Sequence, residues 1–121
     1  LQVGFDATAF ENVSEGDALY MRTSDGQVGK ASASNGLLEN AQVVGIANAD
    51  ASANATVKVI VIGLKTMSGL DAGDLYFLSP STAGAITLTP PSSAGQAVVR
   101  VGEASTATKF AIRIEPPIKL S

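Results

Sequence analysis

The sequence predicts an all-β fold: a small β-sandwich or barrel built from two similar units of about four short antiparallel strands each. Three observations carry this expectation. Glycine (12 residues) and proline (5) punctuate the chain at short intervals, so no helical period runs long enough to propagate. The apolar content, 45% of residues, is aliphatic, with aromatics at 5% and no Trp, which suits thin packed sheets better than a deep aromatic pocket. The runs between the turn signals alternate or are β-branched. At 121 residues the chain is one domain, able to bury roughly two thirds of its unfolded surface without staples.

Taken in order, residues 1–12 read as an N-terminal arm of strand character carrying Val3, Phe5 and Phe10. That is two of the chain's four Phe, and they need cover from the protein's own core or from a neighbour. Asp25-Gly26 lies between the strand-like stretches 19–22 and 27–31, where Asp-Gly supplies the positive φ angles of a tight hairpin turn. Asn35-Gly36 is another turn, and Leu37, Leu38 and Glu39 have room for one helical turn. Residues 56–64 begin by alternating and become apolar on both faces at Val59, Ile60, Val61 and Ile62, which predicts a strand buried on both sides. Ala83-Gly84 turns 76–78 back onto 85–89. Residues 108–115 point Phe110, Ile112 and Ile114 one way and Lys109, Ala111 and Arg113 the other, a half-buried strand. The end, 116–121, cannot continue a ladder past Pro116 and Pro117, and is expected to leave the sheet as an extended tail.

The two halves echo each other. Gly16-Asp17-Ala18-Leu19-Tyr20 answers Gly73-Asp74-Leu75-Tyr76, and the hairpin at Gly26 answers the one at Gly84. Val43-Val44-Gly45-Ile46-Ala47 answers Arg100-Val101-Gly102-Glu103-Ala104, and the strand at Val57 answers the strand at Phe110. This predicts a first repeat over 13–65 and a second over 66–115, each too small to bury its own apolar face. On this alignment Tyr20 and Tyr76 are equivalent.

The absences restrict function. Without His or Cys, imidazole metal ligation, a Ser–His nucleophile, a thiolate and a disulfide framework are all excluded within this chain. The net charge is −3 and the eight basic residues are scattered, so no stripe exists to neutralise a nucleic-acid backbone. No apolar run is long enough to cross a bilayer as a helix, and no leader pattern is visible. Among the acids, Glu15/Asp17 and Asp71/Asp74 stand symmetrically in glycine-containing turns, which predicts capping of backbone N–H groups. Glycosidase chemistry would need two acids facing across a cleft, and the dense ligand spacing of a calcium loop is missing. Asn12-Val13-Ser14 and Asn54-Ala55-Thr56 read as turn residues, not glycan acceptors. The sequence therefore predicts no catalytic residue, no metal ligands, no cofactor, and no nucleic-acid or membrane partner. The protein is expected to be no enzyme.

One stretch carries a likeness. The run from Gly69-Leu70-Asp71-Ala72-Gly73-Asp74-Leu75-Tyr76-Phe77-Leu78-Ser79-Pro80, through Gly84-Ala85-Ile86-Thr87, Thr89-Pro90-Pro91-Ser92 and residues 95–104, to Ile112-Arg113-Ile114-Glu115-Pro116-Pro117, resembles the C-terminal β module of tailed-phage virion proteins. These are capsid cement or decoration proteins, head fibres and some tail-associated proteins. The first half is similar through its Gly16-Asp17 and Val43-Ala47 segments. The resemblance implies a decoration protein on the outer surface of a phage head, made in the bacterial cytoplasm. It also implies a homotrimer clamping the major capsid protein, with a tail- or fibre-associated module as the alternative place. Val3, Phe5 and Phe10 of the arm, with Pro116, Pro117 and Ile118 of the tail, are the candidate interface.

Overall fold

Among the described residues every element longer than one turn is a strand. The computed structural model describes residues 2–34 and 38–120. In chain order these are β1 (Gln2–Thr8), β2 (Ala18–Met21), β3 (Val28–Lys30), one turn of 3₁₀ helix (Leu38–Ala41), β4 (Val43–Ala47) and β5 (Thr56–Thr66). There follow β6 (Leu75–Leu78), β7 (Ile86–Thr87), β8 (Ala97–Val98), β9 (Arg100–Thr106), β10 (Lys109–Ile112) and β11 (Ile118–Lys119). Nine strands form one antiparallel sheet in the order β3-β2-β4-β5-β10-β9-β6-β7, with β1 also against β5. The sheet curls into a half-barrel, and β8 with β11 makes a separate two-stranded ribbon. The all-β expectation holds. The expected turn at Asn35-Gly36 and its neighbour Leu37 lie outside the described residues, while Leu38 and Glu39 open the 3₁₀ turn.

The strand order reads symmetrically from the middle: β3-β2-β4-β5 on one side and β7-β6-β9-β10 on the other. The registers match as well. Ala18 pairs Ile46 and Leu19 pairs Gly45, after which the ladder steps over Val44 so that Tyr20 faces Val43. Fifty-seven residues later Leu75 pairs Glu103 and Tyr76 pairs Gly102, and the ladder steps over Val101 so that Phe77 faces Arg100. The preceding turns agree: Gly16 N–H donates to the Ala47 carbonyl and Gly73 N–H to the Ala104 carbonyl, and both glycines have positive φ. This register makes Leu19, not Tyr20, the counterpart of Tyr76; Tyr20 answers Phe77. Gly45 and Gly102 occupy the same place, where the neighbouring strand passes too close for a side chain. A Cβ on Gly45 would meet the Ile60 carbonyl oxygen at 2.6 Å, and one on Gly102 would run into the Ala111 carbonyl oxygen.

β1 is a full strand of the sheet. It pairs β5 from Gln2 opposite Gly63 to Thr8 opposite Thr56, and Phe10 N–H then donates to the Val28 carbonyl. What reads in sequence as an arm therefore completes a five-strand unit, β1 to the first half of β5. The second half of β5 plays the part of β1 for the next unit, by pairing β10.

Two apolar cores result. The smaller holds Ala9, Val13, Leu19, Val28, Ala47, Val57 and Val59, inside the first unit. The larger holds Tyr76, Leu78, Val101, Ala104 and Phe110 of the second unit, and against these pack Ala18, Val43, Ile46 and Ile60 from the back of the first. Main-chain bonds tie the units at their rims: Ala18 N–H to the Gly84 carbonyl, Gly84 N–H to Ala31, Ala33 N–H to Ser79 and Ala97 N–H to Ala33.

Three local expectations change. The Asp25-Gly26 hairpin is present, but its loop runs from Arg22 to Gln27, closed by Gly26 N–H on the Arg22 carbonyl, because Arg22 also grips Asp25 and opens the turn. Within 56–64, burial on both faces is confined to Val59 and Ile60; Thr56 and Lys58 before them and Ile62 and Leu64 after them face solvent. The tail after Pro116-Pro117 is extended but does not leave. Lys119 and Ile118 pair Ala97 and Val98, and Leu120 exchanges main-chain bonds with Gly95 and Gln96. The prolines end one ladder, and the residues beyond them keep the N–H groups to begin another.

Substituting Gly102→Ala is expected to cost about 1–3 kcal/mol, because the new methyl meets a fixed carbonyl rather than a movable side chain. Gly26→Ala, with open space around it and only its positive φ (73°) to strain, is expected to cost about 1 kcal/mol or less. Urea denaturation of the two variants beside the parent checks the order.

Candidate interaction surface

Residues directly opposite one another in paired strands point to the same side of a sheet. In the first unit this rule sets Gly4, Ile60, Ile46 and Ala18 in one row across β1, β5, β4 and β2. Ile60, Ile46 and Ala18 are buried in the larger core. The matching row of the second unit is Leu64, Ala111, Glu103 and Leu75, across β5, β10, β9 and β6. None of the described residues covers it. Leu64 is 49% and Leu75 39% exposed, and Ala111 and Glu103 are half-buried.

The exposed row extends at both ends. Ile62 and its partner Val3 adjoin Leu64. Phe77 and Leu88 adjoin Leu75, and together with Gly73 and Asp74 they line an open groove of about 450 Å³. Seven large apolar residues are exposed among the described residues, and five of them (Val3, Ile62, Leu64, Leu75 and Leu88) lie on this face. That concentration separates a patch from the scattered apolar exposure any surface carries. Its charge is balanced, since Glu103 faces Arg113 at 3.9 Å.

Of the residues singled out in the sequence, Val3 belongs to this patch and is 52% exposed. Phe5 is half-buried against the smaller core. Phe10 is also half-buried, meeting the Tyr20 ring edge-on at 5.8 Å with the Arg22 guanidinium 3.9 Å over its face. Both Phe residues thus serve the chain's own packing. Pro116 is exposed and Pro117 half-buried, beside a shallow depression shared with Gln42, Val43 and Ile114, and Ile118 stands exposed in β11. β1 attaches to β5 and the tail to β8, so arm and tail are carried by different strands. Sequence reasoning missed Leu64, Leu75 and Leu88. The available signal was the counterpart position: Leu75 answers Ala18, and a large apolar residue stands where its equivalent is a buried small one.

The acids are occupied with structure in the first half. The Asp17 carboxylate accepts the Ser14 N–H at 2.9 Å, the Asp50 carboxylate accepts the Glu15 N–H at 2.8 Å, and the Asn12 side-chain oxygen accepts the Ala53 N–H at 2.9 Å. Asn54 takes a left-handed turn conformation (φ 72°). In the second half the Asp71 main chain, not its carboxylate, is engaged, by donating its N–H to the Tyr76 hydroxyl at 2.8 Å. Lys65 is a charged residue almost without exposure (4%), and its ammonium is held by Glu15 and by the Thr66 carbonyl at 3.3 Å. An open groove of about 450 Å³ runs beside this pair, lined by Glu15, Gly16, Thr66, Met67, Ser68 and Thr108. Among the described residues no three acids gather as metal ligands would, and no helix is long and apolar enough to cross a membrane.

No family model matches the chain, and no curated protein matches it.

Two outcomes follow from the polar groups. Replacing Lys65→Met is expected to leave stability within about 1 kcal/mol of the parent or raise it, since an apolar chain of similar volume suits the site. Glu15→Ala leaves the buried ammonium without its carboxylate and is expected to cost about 1–3 kcal/mol; thermal melts of the two variants check the contrast. Burial lifts the Asp17 carboxyl above the ordinary aspartate value, against the lowering effects of the Ser14 N–H and the Lys30 charge. An acid with a raised folded pKa binds its proton more tightly when folded. Its contribution to stability therefore grows as pH falls through that folded value towards 3.8, and is lost on the alkaline side. Asp17→Asn is expected to remove this component, so that the variant gains relative to the parent at pH 7 and loses the gain at pH 4. Unfolding midpoints at the two pH values measure it.

Proposed function

We propose that this chain is a non-enzymatic structural protein of a tailed-phage virion, a decoration or cement protein bound to the outer surface of the head. The observation that carries the reading is the ordered run of short motifs from 69 to 117, which resembles the C-terminal β module of such proteins. In the fold these motifs supply the second unit's scaffold. Gly69, Gly73, Gly84 and Gly95 hold positive φ at its turns, Tyr76 enters its core and Gly102 permits the close strand approach. The likeness is therefore a likeness of build.

The residue chemistry supports the same reading. His and Cys are absent from the sequence, and Asp17 and Asp50 spend their carboxylates on backbone N–H groups. A body of this size acts by contact, and a shell offers many equivalent places for one modest interface. Repetition over linked subunits then makes the total hold on the shell large. The partner is the major capsid protein, and the exposed tail around Pro116 and Ile118 is a contact suited to it.

The test adds tagged protein to phage heads assembled without decoration. Saturable binding at fixed stoichiometry, with electron-microscopy density on the outer shell, is the expected result. Failure to bind heads, with labelled antibody marking only tails, would refute it.

A further inference from the structure

The matching rows of the two units have opposite fates. In the first unit the row through Ile60, Ile46 and Ala18 is buried against the concave face of the second unit. In the second unit the row through Leu64, Ala111, Glu103 and Leu75 has no neighbour among the described residues, although it keeps two large leucines where solvent meets them. In stacked repeats the outer face of the last unit is ordinarily polar, because nothing follows it. Here it is apolar at both ends.

We infer that this face is the interface of a two-fold homodimer, and that its occupant is the same face of a second copy. Three features of the row select a copy of itself over a partner of different chemistry. First, it is self-complementary. A two-fold axis between Ala111 and Glu103, lying in the interface plane parallel to the strands, sets Leu64 of each chain over Leu75 of the other, and Glu103 over the small Ala111. Second, the charge at its centre is balanced by the neighbouring Arg113. Glu103 and Arg113 form only a loose pair at 3.9 Å, and the same axis brings each beside its opposite in the second chain. A strongly charged partner would gain nothing from such a face. Third, the equivalent row of the first unit is covered by a sheet of the same build inside the chain, so a row of this kind accepts sheet-on-sheet contact. Val3 and Ile62 at one end, and Phe77 and Leu88 at the other, widen the contact along the same face.

This pairing does not depend on where the protein acts. It replaces the threefold arrangement that the likeness to decoration proteins implies.

Sedimentation velocity on the full chain, from about 1 µM to about 500 µM, tests it. The expected result is a concentration-dependent rise to twice the monomer mass of 12.2 kDa. Leu64→Asp and Leu75→Asp should each weaken association by roughly tenfold or more, while circular dichroism shows the monomer fold retained. Because the chain has no cysteine, a second measurement uses Leu64→Cys and Leu75→Cys chains mixed under oxidation. Mixed 64–75 disulfides should exceed the share that random pairing of equal amounts would give. A monomer throughout the range, a mass three times that of the chain, or a dimer that survives both aspartate substitutions would overturn the inference. So would symmetric disulfides in excess, and the disulfide result decides the matter if an aspartate variant does not fold.

Discussion

β5 has to be two strands at once. Its first half closes the unit begun by β1, and its second half begins the unit closed by β10. The faces it must bury are on opposite sides in the two halves, because the second unit packs its concave face onto the back of the first. A regular strand already offers alternate residues to the two sides, so the register decides which of them each half buries. An extra residue at Val61 sets that register: Val3 faces Ile62 while the next residue, Gly4, faces Ile60, so one residue of β5 is passed over. Before the bulge Val57 and Val59 enter the smaller core, and after it Ile62 and Leu64 look outward while Lys65 turns in. Without it Leu64 would be buried and Lys65 exposed. The buried ammonium follows from that one residue, and with it the need for Glu15, which the loop before β2 supplies from the other unit's rim.

Close approach is the second requirement. Where Gly45 and Gly102 stand, the adjacent strand's carbonyl occupies the space of a Cβ, and each glycine lies beside the residue over which its ladder steps. Bulge and glycine together bend the strands enough for a four-residue hairpin strand to reach a core. The joint between the units relies on equally small residues. Ala18, Ala31 and Ala33 bring main chain within hydrogen-bonding distance of Gly84, Ser79 and Ala97, leaving the larger Ile46 and Ile60 to fill the space behind. The alanine-rich, aromatic-poor composition is thus a condition of stacking two thin sheets and not a shortage of core.

How far this was legible in the sequence depends on the range of the interaction. Phe110, Ile112 and Ile114 alternate with Lys109, Ala111 and Arg113, and that local pattern gave the right faces. The paired Gly-Asp turns gave the right landmarks too, because a positive φ before a strand is a local demand. The Tyr20–Tyr76 equivalence failed because matching letters override register, whereas the ladder aligns Leu19 with Tyr76. The run 56–64 failed for a different reason. Val61 looks like any other β-branched strand residue, and only pairing with β1 shows that it is the one passed over. The tail was legible at its prolines and illegible beyond them, since its return onto β8 is fixed by residues about twenty positions away in sequence. For the candidate surface, Val3 was visible as an apolar residue in need of cover. Leu64 and Leu75 become visible only when the two units are laid row against row.

That comparison also explains the single acidic residue in the exposed row. Where the first unit has Ile46, deep against its neighbour, the second has Glu103 beside Arg113. An isoleucine there would join Leu64 and Leu75 into an unbroken apolar strip on an antiparallel sheet face, a surface prone to indiscriminate association. An ion pair at the centre breaks the strip while leaving its ends greasy. Such a face penalises any partner that cannot answer one positive and one negative charge in the right order, and it leaves leucine contacts to reward one that can. Burial of the pair in a wrong register would strand both charges, a heavier cost than the leucines could offset. The selectivity of this surface therefore resides in Glu103 and Arg113, and its attraction in the residues on either side of them.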